Sequence, residues 1–451
     1  MKDVILIFDI GKTNKKQLLF DTHFQLLSQS SKVFEEISDD DGFPMEDLVA
    51  IEEWILSSID TVDSNPDLKL VGINFSTYGA SLVCLDEKGK RCTPFYNYLK
   101  PLPADFRDQF FRNGMSKKGF ESSTCSPFLG MLNSGLQLYF LKNYKPHYYD
   151  KIKSVLHFPQ YLSYLVSKRM QNDYTSLGCH TGMWDFKQDS YADWFKNEGF
   201  SSFFPPIESA GFGNSKDVHI GCGIHDSTAS CLPYLFGSDD PFVLISTGTW
   251  SIAMNPFEDS TIKDKEFERD MMVFMTPNGS PIKTARLHLG LHFEVTVKSM
   301  QLFFNVDEEA YKSIHYDSQF IDLRNEPTKM LFNHSILQPE RFGYTNGSDE
   351  SLSQFDSFEQ AYHQFILELI DIQYASIRPL LKNECTTIFI DGGFTKNHVF
   401  TKVLAQKLPT HNLFKANNPI GSALGAYLMV NELEIDESIF REVYDIEKVI
   451  P

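Results

Sequence analysis

Val4-Ile5-Leu6-Ile7-Phe8-Asp9-Ile10-Gly11-Lys12-Thr13-Asn14 opens the chain with an apolar run that breaks into a polar turn. The unbroken β-branched and aliphatic stretch Val4–Phe8 predicts a buried strand. Asp9 falls at its end. Gly11 permits a backbone approach that a side chain would block. Thr13 and Asn14 offer hydroxyl, amide and backbone donors to phosphate oxygens, with Lys12 in the same turn. Asp9 is placed to hold a magnesium ion, through water, since that ion keeps much of its hydration. An ordinary β-turn with a solvated aspartate has the same composition, so the stretch is informative only in company.

The same device recurs. Phe242–Ile245 predicts a second strand, followed by Ser246-Thr247-Gly248-Thr249-Trp250-Ser251, a turn dense in hydroxyls that suits a second phosphate cradle. Thr387–Ile390 predicts a third, followed by Asp391-Gly392-Gly393-Phe394-Thr395-Lys396-Asn397. Its paired glycines let a planar base or ribose reach the backbone. Between the first two lies Gly221-Cys222-Gly223-Ile224-His225-Asp226-Ser227-Thr228-Ala229. Asp226 stands where a helix can begin, a position that favours the ionised carboxylate and suits a general base. A plain helix N-cap reads the same way. Pro419-Ile420-Gly421-Ser422-Ala423-Leu424-Gly425-Ala426 is rich in small residues and predicts a closely packed helix.

Around these segments, strands are expected at Gln17–Phe20, Leu26–Phe34, Leu68–Phe75 and Ser81–Leu85. Helices are expected at Met45–Ile59, Leu129–Leu141 and Pro159–Val166. Gly237-Ser238-Asp239-Asp240-Pro241 reads as a linker. With 451 residues the chain exceeds what one core usually organises. Two mixed α/β domains are therefore expected, 1–238 and 239–451.

The formal net charge is −19. A surface of that sign repels phosphate backbones and anionic lipid, which argues against nucleic-acid and membrane partners. Seven scattered cysteines without C-x-x-C spacing point to a reduced protein with neither a disulfide frame nor a zinc site. No stretch approaches the length of a membrane span or a signal peptide, so a cytoplasmic location is expected.

Taken in order, the four segments resemble the FGGY carbohydrate kinases, and within them the rhamnulokinase and fuculokinase branch. The resemblance runs from about residue 4 to about residue 430. Asp9–Asn14 is similar to the family's first phosphate motif, Gly223–Asp226 to the segment with the catalytic base, and Ser246–Ser251 to the second phosphate motif. Asp391–Gly393, Asn397 and Ala423–Ala426 resemble the adenosine region. Asn172–Thr175 and Thr181–Asp185 resemble an interior stretch of the family. The resemblance implies a two-domain actin/hexokinase-like ATPase fold, a duplicated ribonuclease H-like α/β core with a cleft between domains.

It also implies ATP and Mg2+, held by Asp9, Gly11, Lys12, Thr13, Asn14, Thr247, Gly248, Thr249, Gly392, Gly393 and Asn397. Asp226 becomes the general base, expected as a near-normal ionised carboxylate. The acceptor would be a ketose, deoxyketose or polyol, contacted by Thr77, Tyr78, Asn97, His225, Asp226 and Arg286. The substrate strip departs from the branch. Ser76-Thr77-Tyr78-Gly79-Ala80-Ser81 has serine where the branch has aspartate twice. In Asn97-Tyr98-Leu99-Lys100-Pro101-Leu102, Lys100 stands at the sugar-contacting aspartate. These changes leave the sugar open and raise a second expectation, a catalytically degenerate sensor of the same fold. Oligomeric state, including a homodimer, is not marked in the sequence.

Overall fold

A computed structural model describes residues 1–79, 81–112, 115–207, 213–215, 218–321, 329–382, 385–418, 420–431, 433 and 435–451. Two seven-stranded sheets dominate it. The first contains β1 (Lys2–Ile10), β2 (Lys15–Asp21), β3 (Leu26–Lys32), β4 (Leu68–Thr77), β5 (Gly213–Ser215), β6 (Val218–Ile220) and β7 (Ile224–His225). Its order is β5-β6-β4-β1-β2-β3, with β7 also beside β4. The second contains β8 (Phe242–Thr247), β9 (Ser251–Asn255), β10 (Met271–Met275), β11 (Pro281–Leu287), β12 (Thr387–Gly392), β13 (Asn412–Ala416) and β14 (Ile446–Lys448), in the order β10-β11-β9-β8-β12-β13-β14.

The two sheets share one plan. In each, an opening strand is followed by antiparallel neighbours, β1–β2–β3 in one and β8–β9–β11 in the other. On its other side the opening strand has two parallel neighbours, β4 then β6, and β12 then β13. This is the duplicated core that the family resemblance implied.

Alternate residues of the opening strands serve different cores. Val4, Leu6 and Phe8 pack with Leu48, Ile51 and Ile55 of helix α1 (Leu48–Asp63). Ile5 and Ile7 point the other way, into a core that also takes Phe242, Leu244 and Phe389 from the second sheet. Val243 and Ile245 face a third core, with Phe365, Ile366 and Leu369 of the long helix Phe358–Ile377. Burial on both faces is the reason these strands are apolar throughout rather than alternating.

The core between the sheets is built on two helices, α2 (Asp226–Gly237) and α3 (Gly421–Leu428). They pack closely because Gly425 has no side chain: a Cβ there would lie 1.9 Å from the Ala229 carbonyl oxygen. α3 also reaches the first sheet. The Asn74 amide donates to the Ala426 carbonyl at 2.8 Å, and the Tyr427 hydroxyl donates to the Asp21 carbonyl at 2.9 Å.

Local differences from the expected elements have visible causes. The helix expected from Met45 starts only at Leu48, where the Asp47 carboxylate caps Val49 and Ala50. Pro44–Glu46 instead pairs with Glu36–Ser38 as a small hairpin. The helix expected at Leu129–Leu141 is divided at Asn133, whose amide donates to Ser126, Pro127 and His180. A short 3-10 turn, Gly130–Leu132, precedes the helix Ser134–Tyr144. Among the described residues no helix is long and apolar enough to cross a membrane.

Candidate active site

The polar turns stand where the parallel strands end. In the first, the Gly11 N–H donates to the Asn14 carbonyl at 3.0 Å, and Thr13 and Asn14 are exposed. Lys12 turns aside to Glu36 and Glu46 of the hairpin. In the second, the Gly248 N–H donates to the Trp250 carbonyl at 2.8 Å, leaving Gly248 and Thr249 exposed. Thr247 is buried, and its hydroxyl is engaged within the fold. It donates to the Asp391 carbonyl at 2.6 Å and accepts from the Phe394 N–H at 3.1 Å.

The third turn is pressed against the second. Gly392 lies beside Thr247 across β8 and β12 with φ +88°. Gly393 is different, exposed with open space where a Cβ would project. Asn397 caps the helix His398–Lys407 through the Phe400 N–H at 3.1 Å, and its amide donates to the Tyr362 hydroxyl at 2.9 Å.

Three acids converge between the sheets. Asp9, from β1, accepts from the Ser422 hydroxyl of α3 at 2.9 Å. Burial raises its pKa, opposed by the Lys16 charge and by Ser422, and the Asp226 charge raises it further. Asp391, from β12, is 3% exposed and is pushed from 3.8 up to about 6, chiefly by burial. Its carboxylate accepts from the Gly392 N–H at 2.6 Å and feels the Lys16 charge. Lys16 pairs with Asp9 across β1 and β2, so it is the cation shared by Asp9 and Asp391. No local pattern marks Lys16, because it lies beyond the turn, on β2.

The Asp391 shift has a stability consequence. Its folded pKa is above the unfolded one, so the folded protein binds the extra proton between pH 3.8 and about 6. Stability therefore falls as pH rises through that window, and the loss persists above it. Asp391→Asn is expected to be more stable than the native chain at pH 8, by about 3 kcal/mol at most. The check is the urea midpoint of both proteins at pH 5 and pH 8, with the gain shrinking at the lower pH.

Asp226 opens α2, whose first turn its charge suits. Among the described residues its contacts fall on Oδ1: the Ser227 N–H at 2.6 Å, the Ser227 hydroxyl at 3.2 Å and His225 Nε2 at 3.4 Å. Burial in the cleft raises its pKa, so the near-normal carboxylate expected from the sequence is corrected to one that holds its proton more tightly.

The segment before it is braced from several sides. Gly223, with φ +83°, donates its N–H to Asn74 and accepts from the Gln160 amide. The His225 N–H donates to the Thr175 hydroxyl at 3.1 Å, and that hydroxyl donates to Asp173 at 2.5 Å. The interior Asn172–Thr175 stretch thus fixes the backbone on which Asp226 is carried.

The expected sugar contacts have unequal surroundings. Thr77, at the end of β4, lies between Ile10 and His225 and donates to the Tyr78 carbonyl. Tyr78 is a buried aromatic against Tyr98 and Phe158, with its hydroxyl 3.4 Å from Glu46. Asn97 is engaged on both ends of its amide, by the Pro44 carbonyl and the Leu99 N–H. Its neighbour Tyr98 sets its ring edge-on to Tyr78, within electrostatic reach of Asp226. Burial and then the Asp226 charge push Tyr98 up to about 12. Arg286 comes from β11 in the second sheet, paired to Asp270 at 3.1 and 3.2 Å, with its guanidinium 4.4 Å from the Trp250 ring centre. Trp250 in turn stacks on His288 at 4.2 Å. Lys100 turns away to Asp39 and Asp41 of the hairpin. Ala80 and Pro419 lie outside the described residues.

Two like sheets, each with a strand-end turn, and three acids meeting between them define a two-domain ATPase fold. The known proteins agree. The model of the FGGY family of carbohydrate kinases, N-terminal domain, matches residues 4–198, and that of the carbohydrate kinase FGGY C-terminal domain matches residues 239–317. A rhamnulokinase of Halalkalibacterium halodurans is 22% identical over 406 residues, 83% of this chain and 82% of its own. A rhamnulokinase of Yersinia pestis is 26% identical over 239 residues, 48% of this chain and 46% of its own. Among solved structures, a xylulose kinase from Lactobacillus acidophilus has a TM-score of 0.79 at 16% identity, covering 99% of this chain and 93% of that one. A carbohydrate kinase from Novosphingobium aromaticivorans has a TM-score of 0.76 at 21% identity, covering 100% and 94%. The chain belongs to the FGGY family of carbohydrate kinases, and is a sugar kinase whose family uses ATP.

Proposed function

We propose that this kinase transfers the γ-phosphoryl group of ATP to a hydroxyl of a ketose, deoxyketose or polyol, with Asp226 as general base. The observation that carries the reading is the placement of Asp226. It is held through Oδ1, on a braced backbone, within the electrostatic reach of Asp9 and Tyr98. Oδ2 would then accept the hydroxyl proton as the new O–P bond forms. Phosphoryl transfer otherwise asks the protein for positioning and charge neutralisation.

Residues 1–238 and 239–451 would act as the two domains, with Gly11–Asn14 and Gly248–Thr249 orienting the triphosphate from opposite sides. Thr247, with its hydroxyl engaged, would contribute through its backbone. Gly392 and Gly393 would admit the adenosine, and Asn397 would hold the helix beside it. The oxygen donors near Asp9 fit magnesium, which takes one or two carboxylates together with water and phosphate oxygens. Bound there, the ion would neutralise charge on the phosphate oxygens. Tyr98, Arg286, His225 and Thr77 would line the sugar, and Tyr78 and Asn97 would shape the wall behind it.

The relatives named rhamnulokinase and the structural neighbours named xylulose kinase point the acceptor toward ketoses. The test is ADP release with Mg-ATP against L-rhamnulose-type deoxyketoses, xylulose, ribulose and glycerol. Strong stimulation by one ketose is expected. ATP binding without stimulation by any member of this panel would overturn the acceptor class proposed and leave a sugar outside the panel or a sensor.

A further inference from the structure

Directly behind Asp226, three donor side chains meet. Cys179, His180 and His225 are all buried, and one ligand atom from each lies within 4.8 Å of the others. Cys179 and His180 follow the short helix Tyr174–Leu177, and His225 ends β7. The His180 ring is the informative one. Both of its nitrogens are buried and neither has a hydrogen-bond partner. Each unsatisfied buried polar group costs about 1–3 kcal/mol, a cost that a ligand on the ring would relieve.

Two imidazoles and one cysteine are a donor set for a borderline-soft divalent metal, unlike the oxygen donors around Asp9. A fourth donor adjoins, since Asp226 Oδ1 is 3.4 Å from His225 Nε2. We propose that Cys179, His180 and His225 bind Zn2+, and that the bound ion recruits Asp226 as fourth ligand and so inhibits the kinase. On binding, the Cys179 thiol releases its proton to solvent and the thiolate donates an electron pair to zinc, with no change of oxidation state. Bonds of about 2.0–2.3 Å require the side chains to close in by about 1 Å. The ion enters from the cleft, where the Asp226 side chain is 31% exposed. No spacing motif marks this cluster, because Cys179 and His225 are far apart along the chain. Metal binding is independent of the role proposed for Asp226. Only the inhibition rests on it.

The test uses the whole chain without nucleotide, titrated with Co2+ as a spectroscopic stand-in. Intense visible bands of four-coordinate cobalt and a near-ultraviolet sulfur-to-cobalt band are expected, both removed by added Zn2+. Cys179→Ser should lose the near-ultraviolet band, and His180→Gln should weaken binding by roughly tenfold or more. In the ADP-release assay with excess Mg-ATP, Zn2+ should inhibit the native enzyme, a zinc-selective chelator should restore it, and Cys179→Ser should be spared. Only the weak bands of six-coordinate cobalt, or a sulfur band that survives in Cys179→Ser, would overturn the site. Zinc inhibition equal in native and Cys179→Ser proteins would place the ion at the nucleotide and overturn it as well. Should Cys179→Ser not fold, His180→Gln takes its place in the inhibition arm.

Discussion

Asp226→Asn is expected to lower kcat by roughly 10²–10⁴-fold, the usual contribution of a general base. Mg-ATP affinity should be unchanged. Asparagine keeps the shape and can still accept from the Ser227 N–H at Oδ1, so the start of α2 need not move. What it loses is the ability to take a proton. The pH profile supplies a second readout. Burial raises the Asp226 pKa, so the native rate should fall as pH drops through that raised value, because the base is then already protonated. The asparagine variant should lack this acidic limb. Steady-state kinetics across pH, with a fluorescent nucleotide for affinity, would measure both, and a variant with near-native kcat would remove Asp226 from the role.

The second large effect is expected from Gly392→Ala. A Cβ at that position would lie 1.9 Å from the Thr247 carbonyl oxygen, and φ is +88°. Backbone strain costs about 1–3 kcal/mol and overpacking a similar amount, so the variant should lose about 2–6 kcal/mol of stability. β8 and β12 cannot separate to make room, because Thr247 also bonds Asp391 and Phe394. Nucleotide binding should be lost with the turn. Gly393→Ala is the control, since open space surrounds its position. Its stability should stay within about 0.5 kcal/mol of native, while nucleotide affinity falls. Thermal melts with and without Mg-ATP distinguish the two, and a Gly392→Ala protein as stable as Gly393→Ala would refute the account.

The strands and their turns were legible because they are local. An apolar run ending in a glycine turn is written in consecutive residues, and the order of three such segments, with Gly223–Asp226 between the first two, carried the family. The surroundings of the site were not, because they are made by residues far apart. Lys100 looked like a damaged sugar ligand, yet it closes an ion pair with Asp39 and Asp41. Tyr98 lies within electrostatic reach of Asp226, whereas the Asn97 amide is taken up by Pro44 and Leu99. The raised pKa of Asp226 depends on burial supplied by the folded cleft, which no spacing rule records.

The placement of α3 sets a condition on biosynthesis. Tyr427 bonds the Asp21 carbonyl across 406 positions, and Asn74 bonds Ala426 across 352. At about 5–20 residues per second, a ribosome needs roughly 20–80 s to travel from one partner of the longer pair to the other. Until α3 emerges, Ile5, Ile7 and Phe20 lack part of the surface that covers them. A nascent chain halted before residue 421 would therefore present a partly uncovered apolar sheet face, the kind of surface that chaperones exist to shield.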